Sequence, residues 1–369
     1  MELTEGDLVA GKYRLGGMLG EGGMGSVMSA TDTGTGERVA IKFLRSEVAS
    51  DAGGATARGR FQREIRAVTG LKSRHVAKVI SAGELPDGRP FIVMEHLTGK
   101  DLARIQSERG RLPVEEVVEY MLQACAGVGA AHAEGIVHRD LKPANIFVAG
   151  YDGDPSARRT GDAGAPLPIV KVLDFGVSKI IDPDEEYADS VITHVTDMLG
   201  SPAYMAPEQL LSARDADVRS DVYSMGAILY RLLTGKLPIN STSFREHVDA
   251  IVRGDIIAPI ELVPDLPEEL SRIVMRCLSK KPESRYQEIS QLARALLPFS
   301  GPDGPVSLER IELVKRAPPD VASEGKVAPQ KDDRLSAATP QRNSAARLIV
   351  FAIALVVMAA GIGAFLASR

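Results

Sequence analysis

The sequence predicts an α+β protein in two parts, a small β-rich lobe and a larger, mainly helical one, followed by a single C-terminal transmembrane helix. Three observations carry that expectation. Residues 13–100 fall into short apolar runs of strand length with one helical run among them. From Pro113 onward apolar positions recur at helical spacing. Near the end, Leu348 to Leu366, LIVFAIALVVMAAGIGAFL, runs 19 residues without a charge, close to the ~20 that cross a bilayer as a helix.

In the first part YRLGGML and SVMSATD flank a glycine-rich turn, and RVAIKFL is a short apolar strand. FQREIRAVTGL places Phe61, Ile65, Val68 and Leu71 at helical spacing. HVAKVISAG and RPFIVMEHL read as two further strands. After Asp101 the character changes. Pro113, followed by Glu115 and Glu116, is a helix start, and VEEVVEYMLQACAGVGAAHAEG runs to a glycine stop. SDVYSMGAILYRLLTG and LPEELSRIVMRCLSK are helical too. The stretch AGYDGDPSARRTGDAGAPLP, at 149–168, reads as a surface insertion between two strands.

Residues 299–347 are rich in Pro, Ala, Ser and charges with no apolar period, the signature of a flexible linker. Arg342 and Arg347 precede the apolar span, with Lys326, Lys331 and Arg334 further upstream, and only Arg369 follows it. The positive-inside bias therefore predicts a single-pass protein of the inner, cytoplasmic membrane, with residues N-terminal to the span in the cytoplasm. The remainder after the span is too short for an outer domain. The start, MELTEGDLVAGKYRL, lacks the apolar core of a signal peptide. Of 369 residues, 44% are hydrophobic and 25% charged, an ordinary globular balance. The formal net charge is −5 without a long basic run, so no nucleic-acid partner is expected. The two cysteines, Cys125 and Cys277, lie in apolar surroundings and read as core residues of a reducing compartment.

Gly20-Glu21-Gly22-Gly23-Met24-Gly25-Ser26-Val27 fits G-x-G-x-x-G-x-V. Such glycines let backbone N–H groups approach a polyphosphate, although a bare hairpin tip would read the same. A strand rather than a helix follows, which excludes a dinucleotide-binding turn. No Lys-Ser/Thr follows the last glycine, so this is not a Walker loop. Seventeen residues after Gly25, Val39-Ala40-Ile41-Lys42 places a lysine in an apolar strand, costly to bury without a partner. Glu64 is the best candidate partner and Glu47 the alternative; a lysine snorkelling to the surface is the other reading.

The stretch Val137–Val148, VHRDLKPANIFV, gathers His138, Arg139, Asp140, Lys142 and Asn145 into an apolar segment that at first suggests two short buried strands; Asp140 and Asn145, five residues apart, read as lying on a loop entering a strand. Twenty-nine residues beyond Asn145 comes Asp174-Phe175-Gly176. An asparagine and an aspartate supply hard oxygens for Mg²⁺, which leaves a second aspartate to accept a proton or orient a hydroxyl. Ala206-Pro207-Glu208 and Asp221 follow.

These five motifs in this order resemble the eukaryotic-type protein kinases, over roughly residues 10–298. The particular likeness is to bacterial Hanks-type serine/threonine kinases with a membrane helix after the catalytic domain; Lys142 and Gly200–Tyr204 look like the serine/threonine branch. The resemblance implies an N-lobe of about 10–97, a C-lobe of about 98–298, and transfer of the ATP γ-phosphoryl group to protein Ser/Thr hydroxyls. It implies that Leu19, Gly20, Gly22 and Gly25 cover the nucleotide, and that Val27 and Ala40 sandwich adenine. Met94 would be the gatekeeper, with main-chain groups of Glu95 and Leu97 on the adenine edge. Lys42, oriented by Glu64, would hold the α- and β-phosphates. Asp140 would be the catalytic base or hydroxyl-orienting group, Lys142 would steady the γ-phosphate, and Asn145 and Asp174 would bind Mg²⁺, with Mn²⁺ as a substitute. Asp221 would brace the catalytic loop, Arg285 would pair with Glu208, and His138 and Phe175 would be structural.

The same resemblance makes Arg139 a reader of phosphate on the segment Asp174–Glu208, with Thr193 or Thr196 as expected autophosphorylation sites, in trans through a transient dimer, and Ser190 and Ser201 as the other hydroxyls. Ser201 departs from the family's more usual threonine, and the 149–168 insertion exceeds the usual tight turn. Two other classes remain: a non-catalytic pseudokinase scaffold and a small-molecule phosphotransferase. The retained Lys42, Asp140, Asn145 and Asp174 argue against the first, and the stretch Gly200–Glu208 against the second.

Overall fold

A computed structural model of the chain describes residues 3–22, 25–44, 65, 69–151, 168–175, 202–211, 215–241, 244–254 and 256–301. The chain divides into two units, Met1–Pro318 and Pro319–Arg369, and the second lies outside the described residues. So do Glu47, Glu64, Gly176, the hydroxyls of Ser190, Thr193, Thr196 and Ser201, most of the 149–168 insertion, nearly all of the 299–347 linker and the 348–366 span. Among the described residues no helix is long and apolar enough to cross a membrane.

The N-terminal part is a six-stranded antiparallel sheet of β1 (Leu8–Val9), β2 (Tyr13–Gly22), β3 (Gly25–Asp32), β4 (Arg38–Leu44), β5 (Val79–Glu84) and β6 (Pro90–Glu95). Their order is β1-β2-β3-β4-β6-β5. Residues directly opposite in antiparallel strands point to the same face, so register sorts the side chains. Val27 pairs with Lys42 and Ala40 with Met94, which puts these four on one face. Odd-numbered neighbours on β4, Val39, Ile41 and Phe43, turn to the other and pack with Met28, Ala30 and Val93 into a small closed core. Ile65, which has helical backbone, packs on the Lys42 side against Leu44 and Ile92.

A second sheet, antiparallel and three-stranded, joins β7 (Gly99–Asp101), β8 (Ile146–Ala149) and β9 (Ile169–Val172) in that order. The helices are α1 (Leu102–Arg109), α2 (Val114–Ala133), α3 (Pro207–Leu211), α4 (Val218–Thr234), α5 (Phe244–Arg253), α6 (Pro259–Leu262), α7 (Glu268–Cys277) and α8 (Ile289–Leu296). The α2 helix begins straight after Pro113, with Glu115 and Glu116 in its first turn where the helix dipole favours acids. Asp217 caps α4 by accepting from the Arg219 N–H at 2.8 Å, and Gly235 ends it in the left-handed region at φ 74°. Both helices are buried on nearly every side, in one core with β8, β9, α7 and α8.

The expected strands match at β2, β3, β4 and β6. HVAKVISAG becomes a strand only from Val79; before it, Val76 makes a single bridge to Val172. Helices α1, α3, α5, α6 and α8 and strands β1 and β7 were not anticipated. For α1 the signal was present: Asp101 caps it by accepting from the Arg104 N–H at 2.9 Å, and Gly110 closes it.

Two mid-helix glycines show where packing overrides propensity. A Cβ on Gly127 of α2 would collide with the His75 carbonyl oxygen, and one on Gly226 of α4 with the Cys277 Cβ. Gly127→Ala, which would gain helix propensity in an isolated peptide, is expected instead to destabilise the chain by about 1–3 kcal/mol through overpacking. Urea unfolding checks this; a midpoint at or above wild type would refute it. Burial raises the Cys277 thiol to about 12 and pushes the Cys125 thiol up as well, so both are inert core residues.

Candidate active site

Val137–Val148 forms the expected loop entering a strand. Residues 137–142 form a loop, Pro143–Asn145 a 3₁₀ turn, and only β8 is extended. The loop is shaped by bonds that no local pattern announces. Arg139 stands at φ 65°, a left-handed conformation that costs a non-glycine residue roughly 1–2 kcal/mol. Asp221, fully buried on α4, holds it there: its Oδ1 accepts from the Arg139 N–H at 2.9 Å and its Oδ2 from the His138 N–H at 2.8 Å. The His132 ring nitrogen donates to the same Oδ2 at 2.7 Å. Burial presses the Asp221 carboxyl towards the neutral form, but His132 and His138 outweigh it and hold the carboxyl below its usual range.

The Asp140 side chain, 9% exposed, accepts from Lys142 Nζ at 3.0 Å. Asn145 is buried and its amide nitrogen donates to the Asp140 carbonyl at 2.7 Å and to its Oδ2 at 3.3 Å. With its nitrogen so used, Asn145 has its amide oxygen to offer a cation. The Leu173 N–H donates to the Asn145 carbonyl at 2.8 Å, so Asp174 lies one residue beyond that bond. Asp174 is also left-handed, at φ 54°, and its Oδ2 meets Lys42 Nζ at 2.9 Å. His138 is fully buried, bonds the Leu173 carbonyl through Nε2 at 2.8 Å, and packs its ring against Phe175 with centroids 4.7 Å apart.

The six-stranded sheet supplies the other wall. Gly20 pairs with Val27 and Gly22 with Gly25 across the β2–β3 turn, and Leu19 falls in a register shift and is 51% exposed. The glycines have different reasons. Gly25 adopts φ 144° and a Cβ there would collide with the Phe43 carbonyl oxygen, whereas a Cβ on Gly20 or Gly22 would meet nothing within 4 Å. Packing within the chain thus requires Gly25 but not the other two. Val27, Ala40, Lys42 and Met94 share the face above. Glu95 follows Met94, its Oε1 accepting from Lys171 Nζ and from the Lys78 N–H, each at 2.7 Å, and Leu97 is half-buried two residues on.

The donor chemistry fits a small hard cation. Among the described residues no three His, Cys, Asp or Glu side chains cluster as a metal cage. One amide oxygen and one carboxylate remain, a set that phosphate and water oxygens complete, as Mg²⁺ prefers.

A glycine-edged sheet that reaches a lysine across to an aspartate, over a loop of aspartate, lysine and asparagine, is the arrangement of the protein kinase fold. The protein kinase domain family matches this chain over residues 13–296. Serine/threonine-protein kinase Pkn1 of Myxococcus xanthus is 36% identical over 322 residues, covering 85% of this chain and 43% of the relative. Serine/threonine-protein kinase PknB of Mycobacterium tuberculosis is 32% identical over 326 residues, covering 85% of this chain and 48% of the relative. The crystal structure of the Mycobacterium tuberculosis PknI kinase domain is 26% identical with a TM-score of 0.59, covering 81% of this chain and 100% of that one. This chain belongs to the protein kinase family. It spans less than half the length of these two curated relatives.

Of the expected site residues, the structure brings Asp140, Lys142 and Asn145 into contact with one another and pairs Lys42 with Asp174, the Leu173 N–H bond to the Asn145 carbonyl running between the two groups. The partner it shows for Lys42 is Asp174; the two carboxylates weighed for that role, Glu64 and Glu47, are outside the described residues. The Glu208–Arg285 pair is present as a two-pronged bridge at 2.7 and 2.8 Å. Sequence reasoning missed His132, Lys171 and Gln209, whose partners lie 70 to 89 residues away.

Proposed function

We propose that this chain is a protein-serine/threonine kinase that moves the γ-phosphoryl group of ATP to Ser and Thr hydroxyls of proteins, itself included. The observation that supports the reading is the Lys42–Asp174 ion pair at 2.9 Å, which joins the glycine-edged sheet to the Asp-Phe segment after β9. In it, Leu19, Gly20, Gly22 and Gly25 cover the nucleotide, Val27 and Ala40 flank adenine below Met94, and the main chain of Glu95 and Leu97 meets the adenine edge. Lys42, oriented by Glu64, holds the α- and β-phosphates. Asp140 orients the acceptor hydroxyl and takes its proton, Lys142 neutralises charge on the transferred group, and Asn145 and Asp174 hold the metal. Mg²⁺, or Mn²⁺ in its place, would when held there supply positive charge to offset that of the phosphates. The kinase domain spans 10–298.

The full chain given γ-labelled ATP and Mg²⁺ should incorporate acid-stable label on Ser or Thr. ATP binding without label on the chain or on an added basic protein would favour the pseudokinase scaffold instead. Mass spectrometry of the labelled chain should find phosphate on Thr193 or Thr196; active protein bare at both would refute those sites. The uncharged run 348–366 supports a single-pass anchor in the inner membrane, with the kinase domain in the cytoplasm and a role in membrane-associated signalling. Deleting 348–366 should release the chain from the membrane pellet, and a chain soluble with or without that run would refute the anchor.

A further inference from the structure

Gln209, on α3 immediately after Ala206-Pro207-Glu208, is 4% exposed and reaches out of its own helix. Its Oε1 accepts from the Ala206 N–H at 3.1 Å, and its Nε2 donates to the Arg139 carbonyl at 3.0 Å. That carbonyl belongs to the peptide plane joining Arg139 to Asp140. The N–H of the same plane, on Asp140, donates to His138 Nδ1 at 3.3 Å. The ring nitrogen opposite faces the Leu173 carbonyl, so His138 carries a proton on Nε2 and leaves Nδ1 as the acceptor.

The plane is therefore held at both ends, by Gln209 and by His138. It needs holding, because Arg139 stands in the left-handed region and an unconstrained peptide would relax out of it. Asp221 secures the N–H on the near side of Arg139, and Gln209 secures the carbonyl on the far side. Rotation of this plane would swing the Asp140 side chain away from Lys142 and Asn145.

We propose that Gln209 is a positioning residue: by bonding the Arg139 carbonyl it fixes the orientation of Asp140, and it ties that orientation to the docking of the end of the 174–208 segment. The segment's last residues, Ala206 to Glu208, are themselves fastened, Ala206 by the Gln209 amide and Glu208 by Arg285. The inference rests on the kinase reading above.

The test compares the full-length wild type with Gln209→Met and Gln209→Glu, each also in an Asp140→Asn background. Gln209→Met keeps the shape and loses both bonds. Gln209→Glu, assayed at alkaline pH where the carboxyl is ionised, keeps the acceptor for the Ala206 N–H and loses the donor to Arg139, which separates positioning from simple capping. Both variants are expected to show about a tenfold lower kcat, the rate equivalent of one hydrogen bond, with KM for ATP within about twofold. In the Asp140→Asn background neither should lower the rate further, because the effect passes through Asp140. Wild-type kcat in Gln209→Glu, or the same fractional loss in both backgrounds, would overturn the inference. A wild type that transfers no phosphate would instead remove the kinase reading on which it stands.

Discussion

An Asp140→Asn chain is expected to fold, bind ATP and lose about 10²–10⁴ of its phosphoryl-transfer rate. The substitution keeps volume and planarity, so the 9%-exposed pocket beside Lys142 and Asn145 is not emptied. What changes is polarity. The Asp140 carboxylate accepts from Lys142 Nζ and from the Asn145 amide, two donors aimed at one oxygen. An asparagine offers one acceptor where the carboxylate has two, and it has no charge to set against Lys142 or to draw a proton from an attacking hydroxyl. Phosphoryl transfer depends chiefly on positioning and electrostatics, so the loss should fall on kcat and leave the nucleotide constant near wild type. Steady-state assay of a peptide acceptor decides it. A variant within tenfold of wild type would take the base role away from Asp140.

The second large effect concerns stability. Arg285 has no exposed guanidinium, and all five of its N–H donors are used: on both Glu208 oxygens at 2.7 and 2.8 Å, and on the carbonyls of Ser279, Arg219 and Lys280 at 2.8, 3.1 and 3.0 Å. Glu208→Ala leaves that cation buried with three carbonyl dipoles and no counter-charge. Removing one partner of a buried pair costs about 3–5 kcal/mol, and urea unfolding of the full chain measures it; a loss under about 1 kcal/mol would contradict the account. The pair also has a pH signature. Burial pushes the Glu208 carboxyl up, but the Arg285 fork and the Ser220 hydroxyl outweigh it and hold the group below its usual range. A carboxyl lowered on folding adds stability above its unfolded value, about 4.3, and that stability is lost as pH falls through the folded value. Wild-type stability should therefore drop in acid below about pH 4, and the drop should be shallower in Glu208→Ala.

The order of glycine turn, strand lysine, catalytic loop and Asp-Phe-Gly was readable before any fold was known, because each motif is a short run whose residue types follow from the chemistry it does. Strands β2, β3, β4 and β6 and helices α2, α4 and α7 were readable for a related reason. Their periods of two and 3.6 record which side of the backbone is buried. The loop inside VHRDLKPANIFV has a shape whose cause local pattern cannot supply. Its apolar flanks suggest extension, yet Arg139 is turned left-handed by Asp221, 82 residues later.

By itself, then, the sequence determined the kinase family and the short motifs that make up the candidate site, since these depend on spacing within a few residues. Only the tertiary structure decided how those residues are held. His132 and the His138–Arg139 loop meet on Asp221, Lys171 reaches Glu95, Gln209 reaches Arg139, and Gly127 admits the His75 backbone. Each of these contacts exists because α2, α3, α4 and the small sheet pack at particular distances, and packing distance between elements far apart in the chain leaves no period or motif in either segment.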